Sequence, residues 1–326
     1  MKILITGSSG FIGYHLCNYL LSNTDCEVIG IDNMNSYYDV ELKKVRLDLL
    51  QKQYHQYFFY HEDICDFTKV EKIISTHQPE IIIHLAAQAG VRYSISHPQE
   101  YITSNLNGFF NVMECARKYN VKHFLFASSS SVYGNSKAYP YQEMQQADEP
   151  VSLYAATKKS NELMAHAYHK IHGMNIIGLR FFTVYGPFGR PDMAYFSFAK
   201  KILDNQPIKV FNNGNLKRDF TYIDDVVIAI HKIIYKINTP DFLHEYQIYN
   251  IGNSKPVTIG QFIAALENAL QVKAAIEYLP MQQGDVEITY ADNKKLFDLI
   301  AFNPATSIEE GLIKFCDWLV KHPHFY

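Results

Sequence analysis

Short apolar runs and longer amphipathic stretches take turns through the first 180 residues. The runs near 2–6, 27–31, 57–60, 80–84, 122–127 and 175–180 are largely continuous, as in Lys2-Ile3-Leu4-Ile5-Thr6, with little of the in-out alternation of a half-exposed strand. Strands that read this way are covered on both faces. The stretches near 11–22, 40–52, 67–76, 98–119 and 152–172 return apolar residues at helical spacing. This alternation predicts an α/β fold, a Rossmann-type doubly wound parallel sheet with helices on both faces. Right-handed crossovers then gather the strand carboxyl ends along one edge, where ligands bind. The rhythm breaks after Arg180, and a Gly/Pro loop, Gly186-Pro187-Phe188-Gly189-Arg190-Pro191, is followed by short mixed elements. We expect a nucleotide-binding domain over 1–180 and a smaller substrate domain over 181–326, with part of 220–252 returning to the main sheet.

The first strand runs directly into Gly7-Ser8-Ser9-Gly10-Phe11-Ile12-Gly13 and then a helix. Strand, glycine turn and helix form the opening of a dinucleotide-binding unit. Gly7 permits the sharp turn, Gly10 lets backbone approach a diphosphate, and Gly13 lets the helix lie close on the sheet. Phe11 and Ile12 carry amides at the positive end of that helix, where phosphates sit. Asp32 ends the second apolar run, about twenty residues past the turn, where a carboxylate takes ribose hydroxyls. An acidic residue there selects NAD over a cofactor with a 2′-phosphate. Asn33 follows it. Asp63 and Ile64 follow the third run and are placed against the adenine, Asp66 being the better helix cap. Leu85-Ala86-Ala87-Gln88 follows the fourth, its small residues leaving room beside a ribose. Asn105 and Gly108 are poor residues for a helix interior, which implies a packing or functional reason for them.

Composition narrows the partners. With 326 residues, 48% hydrophobic, the chain can bury a large core in one big or two modest domains. A net charge of −3 without a basic block gives no reason to expect nucleic acid or an anionic membrane. The five cysteines, Cys17, Cys26, Cys65, Cys115 and Cys316, are scattered, with no Cys-x-x-Cys or His cluster. No metal is expected, and the unpatterned set fits a reducing, cytoplasmic setting. A signal-peptide pattern and an apolar run of about eighteen residues are both missing.

Tyr154 and Lys158 stand four apart on a predicted helix, hence on one face. A phenol with a pKa of about 10 is a poor base at neutral pH. A neighbouring ammonium, together with the nicotinamide's charge, favours the phenolate. The run Ser128-Ser129-Ser130-Ser131-Val132-Tyr133-Gly134 closes the fifth apolar run and offers a hydroxyl to the reacting oxygen. The residues alone leave open which serine serves.

The glycine spacing, Gly-x-x-Gly-x-x-Gly, resembles the extended branch of the short-chain dehydrogenase/reductases. In that family the catalytic Ser or Thr lies four residues before the Tyr of Val-Tyr-Gly, which points to Ser129 with Tyr154 and Lys158. Four stretches further resemble UDP-glucuronate 4-epimerases. They are Asp32–Val40 with Leu42-Lys43, Gln88–Ser94, Arg180–Met193, and Gly284-Asp285-Val286 with Thr289 and Ala291-Asp292. The resemblance covers essentially the whole chain and implies a UDP-sugar substrate. It further implies a mechanism in which Tyr154 would take the 4-hydroxyl proton as C4 gave hydride to a retained NAD, the 4-keto sugar would turn over, and hydride would return to its other face.

A diphosphate needs directed cations, for which guanidinium is suited. Arg218 is the first candidate, with Arg92 and Arg190 as additions. Phe211 with Asn212-Asn213-Gly214 resembles a uracil-side turn, and Asp285 completes the implied substrate set. Gln282-Gln283 stands where many relatives carry an Arg. Thr183 replaces the Asn of many neutral-sugar 4-epimerases. We expect its hydroxyl, with Ser130 and Ser131, to hold a C6 carboxylate without a full countercharge. UDP-glucuronate decarboxylases typically carry Glu at the place of Ser131, and sugar-nucleotide 4,6-dehydratases an Asp-Glu pair after the catalytic residue; Ser130-Ser131 disfavours both. The family also implies a homodimer built on the helices near 98–119 and 152–172.

Overall fold

The computed structural model describes residues 1–243, 245–281 and 287–325. Along the chain come strand β1 (Lys2–Thr6), helix α1 (Phe11–Asn23), β2 (Glu27–Asp32), α2 (Val40–Gln53), β3 (Tyr57–His61), α3 (Phe67–His77) and β4 (Ile81–His84). They are followed by α4 (Phe109–Lys118), β5 (His123–Ser129), α5 (Leu153–His172), β6 (Ile176–Phe181), α6 (Ile223–Ile237) and β7 (Tyr246–Ile251). The seven strands form one sheet in the order β7-β6-β5-β4-β1-β2-β3. From β1 to β6 every neighbouring pair is parallel. This is a Rossmann-type sheet whose strand order reverses between β1 and β4.

The apolar strand runs fill both faces of that sheet. Leu4, Ile29, Ile82, Phe124 and Phe126 lie in one cluster with Val70, Ile73 and Ile74 of α3 and with Val112, Met113 and Ala116 of α4. Each of these side chains larger than alanine contributes about 1.5–3 kcal/mol on burial. Local signals set the helix ends. Asp66 caps α3 by accepting from Lys69 N at 3.1 Å, and Ser152 caps α5 by accepting from Ala155 N at 3.1 Å. The segment before α4 departs from a regular helix. Pro98–Tyr101 is α-helical, Ile102–Gly108 is wound as a π-helix, and only then does α4 begin.

The chain divides into two compact units. One comprises 1–136, 143–181 and 230–249, the other 137–142, 182–229 and 250–326. In the second unit Thr183–Tyr185 pairs in parallel with Phe220–Tyr222, and Ile208–Phe211 with Ile276–Leu279. Lys217–Arg218 lies between Val257–Thr258 and Ile288–Thr289. Among the described residues no helix is long and apolar enough to cross a membrane.

Candidate functional site

The first unit brings its predicted residues to the carboxyl edge of the sheet. Gly7 follows β1 with φ +72°, and its N–H donates to Ile31 O at 2.7 Å. A Cβ there would lie 2.8 Å from Ala86 N and 3.0 Å from the Leu85 carbonyl carbon. Only glycine lets β1 turn this close against Leu85-Ala86, at the point where the strand order reverses. A Cβ on Gly13 would strike the Gly7 carbonyl. The first turn of α1, from Phe11 and Ile12, carries no side-chain cap. A glycine-lined approach to uncapped amides fits the diphosphate of a dinucleotide.

Asp32 is buried at the end of β2. Its carboxylate accepts from Ser9 N at 3.0 Å and from Met34 N at 2.9 Å, so it is tied to the glycine turn itself. Asp63 is more engaged than its position suggests: it accepts from Asn33 Nδ2 and from Cys65 N, each at 2.8 Å. Burial pushes its pKa up, but these donors outweigh burial and hold the carboxyl below its usual value. Ile64 is buried beside it. A cavity of about 330 Å³ is lined by Asn33, Asn35, Tyr37, Gln88, Tyr93 and Thr103 among others. Ala87 is half-buried between Ala86 and Gln88.

The π-helical turn accounts for Asn105. Its side chain accepts from Gln88 N at 2.7 Å and donates to Gln88 O and Thr157 Oγ1, each at 3.0 Å. Asn161 Nδ2 donates to the Asn105 carbonyl at 2.7 Å. Asn105 therefore fastens the loop after β4 to α5. Gly108 leaves room for Ile64, whose Cδ1 lies 2.6 Å from where a Cβ would stand.

On α5, Lys158 is fully buried and donates to Ala127 O at 2.9 Å. Burial pulls its ammonium down to about 8. Tyr154 lies one turn earlier, half-buried, with its ring edge-on to Tyr101 at 6.1 Å. Ser129 ends β5, and its Oγ accepts from Ser131 N at 3.1 Å, opening the short turn Ser130–Tyr133. Ser130 and Ser131 are half-buried on that turn. Ser128 is occupied elsewhere, donating to Glu162 Oε1 at 2.6 Å. Arg92 is exposed ahead of the short helix Tyr93–Ser96.

The second unit carries the remaining candidates. Thr183 is half-buried, and its N–H donates to Asp219 O at 3.1 Å. Arg218 Nη1 donates to Lys217 O at 2.9 Å. Its neighbour Asp219 is fully buried and accepts from Asn253 N, Ser254 N and Ala291 N at 2.7–3.0 Å. Burial raises that carboxyl even so. Arg190 forms a two-pronged pair with Asp192. Phe211 ends its strand beside Asn212 and Asn213, both with positive φ. Asp285, Gly284, Val286 and Gln282-Gln283 lie outside the described residues. Among the described residues no group of three or more His, Cys, Asp or Glu is placed to hold a metal ion.

Several buried polar residues stand where hydrophobic periodicity expects apolar ones. Arg46 is fully buried on α2 and donates to Ser9 O at 2.9 Å, and Lys43 donates to Asn35 O and Oδ1 at 2.8 Å. Both sit on the face that also buries Leu42 and Leu50, so cations at inward helical positions were the available signal. His84, in an otherwise isoleucine strand, meets Thr6 Oγ1 at 2.9 Å; burial first, then the Lys158 charge, pulls it down to about 3. Arg180, inside β6, is the same kind of signal.

The model of the NAD dependent epimerase/dehydratase family matches residues 3–252. An uncharacterized protein of Methanocaldococcus jannaschii is 50% identical, covering 98% of this chain and 97% of the relative. A probable UDP-glucuronate 4-epimerase of Rhizobium meliloti is 41% identical over 98% of this chain and 96% of its own length. The crystal structure of UDP-glucuronic acid 4-epimerase from Bacillus cereus in complex with UDP-glucuronic acid and NAD is similar at a TM-score of 0.91. It is 34% identical, and the match covers 98% of this chain and 99% of that one. A glycine turn at the reversal point, a buried Asp32 and a Tyr-x-x-x-Lys helix on a Rossmann-type sheet are thus joined to a family match over most of the chain, which belongs to the NAD dependent epimerase/dehydratase family.

Proposed function

We propose that the protein interconverts UDP-glucuronate and UDP-galacturonate by inverting C4 through a transient 4-keto sugar, with a retained NAD. The 41% identity to the Rhizobium meliloti protein and the likeness to the Bacillus cereus enzyme support this substrate. One observation carries inversion over elimination: the turn after β5 offers Ser129, Ser130 and Ser131 and no carboxylate to expel water.

Gly7, Gly10 and Gly13 with the amides of Phe11 and Ile12 hold the diphosphate of NAD, Asp32 and Asn33 its ribose, and Asp63 and Ile64 its adenine. Leu85, Ala86, Ala87 and Gln88 form the wall beside it, and Asn105 holds that loop in place from behind. When bound, NAD supplies the hydride acceptor and donor. Tyr154 takes and returns the 4-hydroxyl proton, Lys158 favours its phenolate, and Ser129 hydrogen-bonds the same oxygen. Arg218, Arg190, Arg92, Phe211 and Asp285 serve the uridine diphosphate. Thr183, Ser130 and Ser131 serve the carboxylate, whose orientation must keep the β-keto acid from losing carbon dioxide. We further propose a homodimer through α4 and α5, where Phe110 and Leu163 are exposed.

Purified protein with UDP-glucuronate, followed by NMR, tests the reading. The expected product is UDP-galacturonate at equilibrium with substrate. Tyr154→Phe should keep its NAD and lose at least about 10²-fold in kcat. UDP-xylose as product, or no galacturonate isomer, overturns the reading; wild-type turnover by Tyr154→Phe overturns the assignment of the base.

A further inference from the structure

We propose that Ser128, Glu162 and Arg180 form a positioning clamp that sets where the catalytic Ser129 stands relative to Tyr154. The inference rests on the roles given above to Ser129 and Tyr154. Those two groups must reach one oxygen, yet they sit on different elements. Ser129 ends β5, and Tyr154 begins α5. Something must fix the separation of strand end and helix.

Tyr154, Lys158 and Glu162 follow one another at four-residue spacing on α5 and so share one stripe. Glu162 is almost fully buried, with 4% side-chain exposure, as is Arg180. Two bonds join them: Arg180 Nε to Oε1 and Nη2 to Oε2, both 2.8 Å. Ser128 Oγ then donates to the same Oε1 at 2.6 Å. This is the residue immediately before Ser129. On the other side of the serine turn, the Arg180 guanidinium stacks over the ring of Tyr133 at 4.7 Å, and Arg180 Nη1 reaches Glu143 O at 3.3 Å. The turn Ser129–Ser131 is thereby held at both ends, at Ser128 and at Tyr133, by one ion pair anchored on the helix that carries Tyr154. Lys159 adds a further cation 3.9 Å from Glu162 Oε2.

The pair has the geometry that makes a buried ion pair tolerable. It is bidentate, and a neutral donor fills a further acceptor site on the carboxylate. A buried pair is weak evidence of stabilisation, since an apolar replacement is often as stable. Its geometric service to the serine turn is the stronger account of why charge sits here.

Ser128→Ala removes one hydroxyl and leaves the Arg180–Glu162 pair intact. Misplacement of a reacting group by about 1 Å costs on the order of 10²-fold. We expect kcat to fall by about 10- to 100-fold, with KM for the UDP-sugar and the retained NAD little changed, and Ser128→Thr to restore most of the loss. A second readout needs no turnover: amide hydrogen exchange should quicken at 129–133 in Ser128→Ala and stay unchanged along α5. Wild-type kcat in Ser128→Ala, or unchanged exchange at 129–133, overturns the clamp, as does a loss that appears in KM instead of kcat. Failure of the wild-type protein to isomerise UDP-glucuronate would count against the proposed function alone, leaving exchange to decide the clamp.

Discussion

Lys158 is held at a cost that can be measured. Its ammonium is fully buried and its pKa is pulled from 10.5 to about 8, with burial as the cause. Below pH 8 both folded and unfolded chains hold this proton, and the folded state holds it at a cost of about 3 kcal/mol. Between pH 8 and 10.5 the unfolded chain keeps the proton while the folded chain gives it up. Stability from this group therefore rises with pH across that window, the reverse of a lysine that gains a carboxylate. Lys158→Met keeps the length of the side chain and discards the charge. It also leaves Ala127 O without the donor now at 2.9 Å, at a cost of about 1 kcal/mol. The net expectation is a gain of about 2 kcal/mol at pH 7, or roughly 3 °C in melting temperature for a chain of this length. The gain should disappear by about pH 10, and kcat should fall by at least about 10²-fold at every pH. Thermal unfolding of both proteins at several pH values between 7 and 10 provides the test. Comparing slopes cancels any constant difference in retained nucleotide. A variant that melts at or below the wild type at pH 7, with a pH-independent difference, refutes the reasoning.

The remaining predictions concern acid stability and assembly. Burial, then the Lys158 charge, pulls His84 from 6.5 to about 3. The unfolded chain thus binds a proton the folded chain refuses as pH falls below 6.5, and His84→Phe should reduce the stability lost between pH 6.5 and 5 by about 2 kcal/mol in urea unfolding; an unchanged acid slope argues against a neutral buried His84. Leu163 is 60% exposed on α5, and Leu163→Lys should convert the proposed dimer to monomer by light scattering; a wild-type protein that is already monomeric removes the interface.

The sheet was legible because its strands are mostly apolar. Val28-Ile29-Gly30-Ile31 and Ile81-Ile82-Ile83 have no polar face to expose, so period and length fix both the element and its double cover. The glycine turn was legible for a similar reason: Gly7 is needed by backbone contact with Ala86, a demand no other residue meets. Less was legible where one residue type serves two purposes. Four successive serines look alike by residue type, and in the structure the tertiary partner Glu162 separates Ser128 from Ser129. Asn105 and Gly108 marked an irregular stretch, but the partners that engage Asn105, Gln88 and Thr157, lie 17 and 52 residues away in sequence.

These cases share a physical reason. Periodicity reports which face of an element is buried, and it does so through apolar residues. A polar residue on that face is invisible to the same pattern until its partner is known, because an unpartnered group there would cost about as much as the apolar neighbours gain. Lys43, Arg46, His84, Lys158, Glu162 and Arg180 are all of this kind. Each occupies a position that periodicity assigns to the core, and each is answered by a named donor or acceptor on another segment. The useful signal is thus the violation itself. Arg180 among Ile176-Ile177-Gly178-Leu179 and Phe181, or Glu162 one turn beyond Lys158, breaks the apolar rule at a place where the chain has no freedom to expose it. Such breaks mark where tertiary contacts, rather than local propensity, set the geometry on which the proposed chemistry depends.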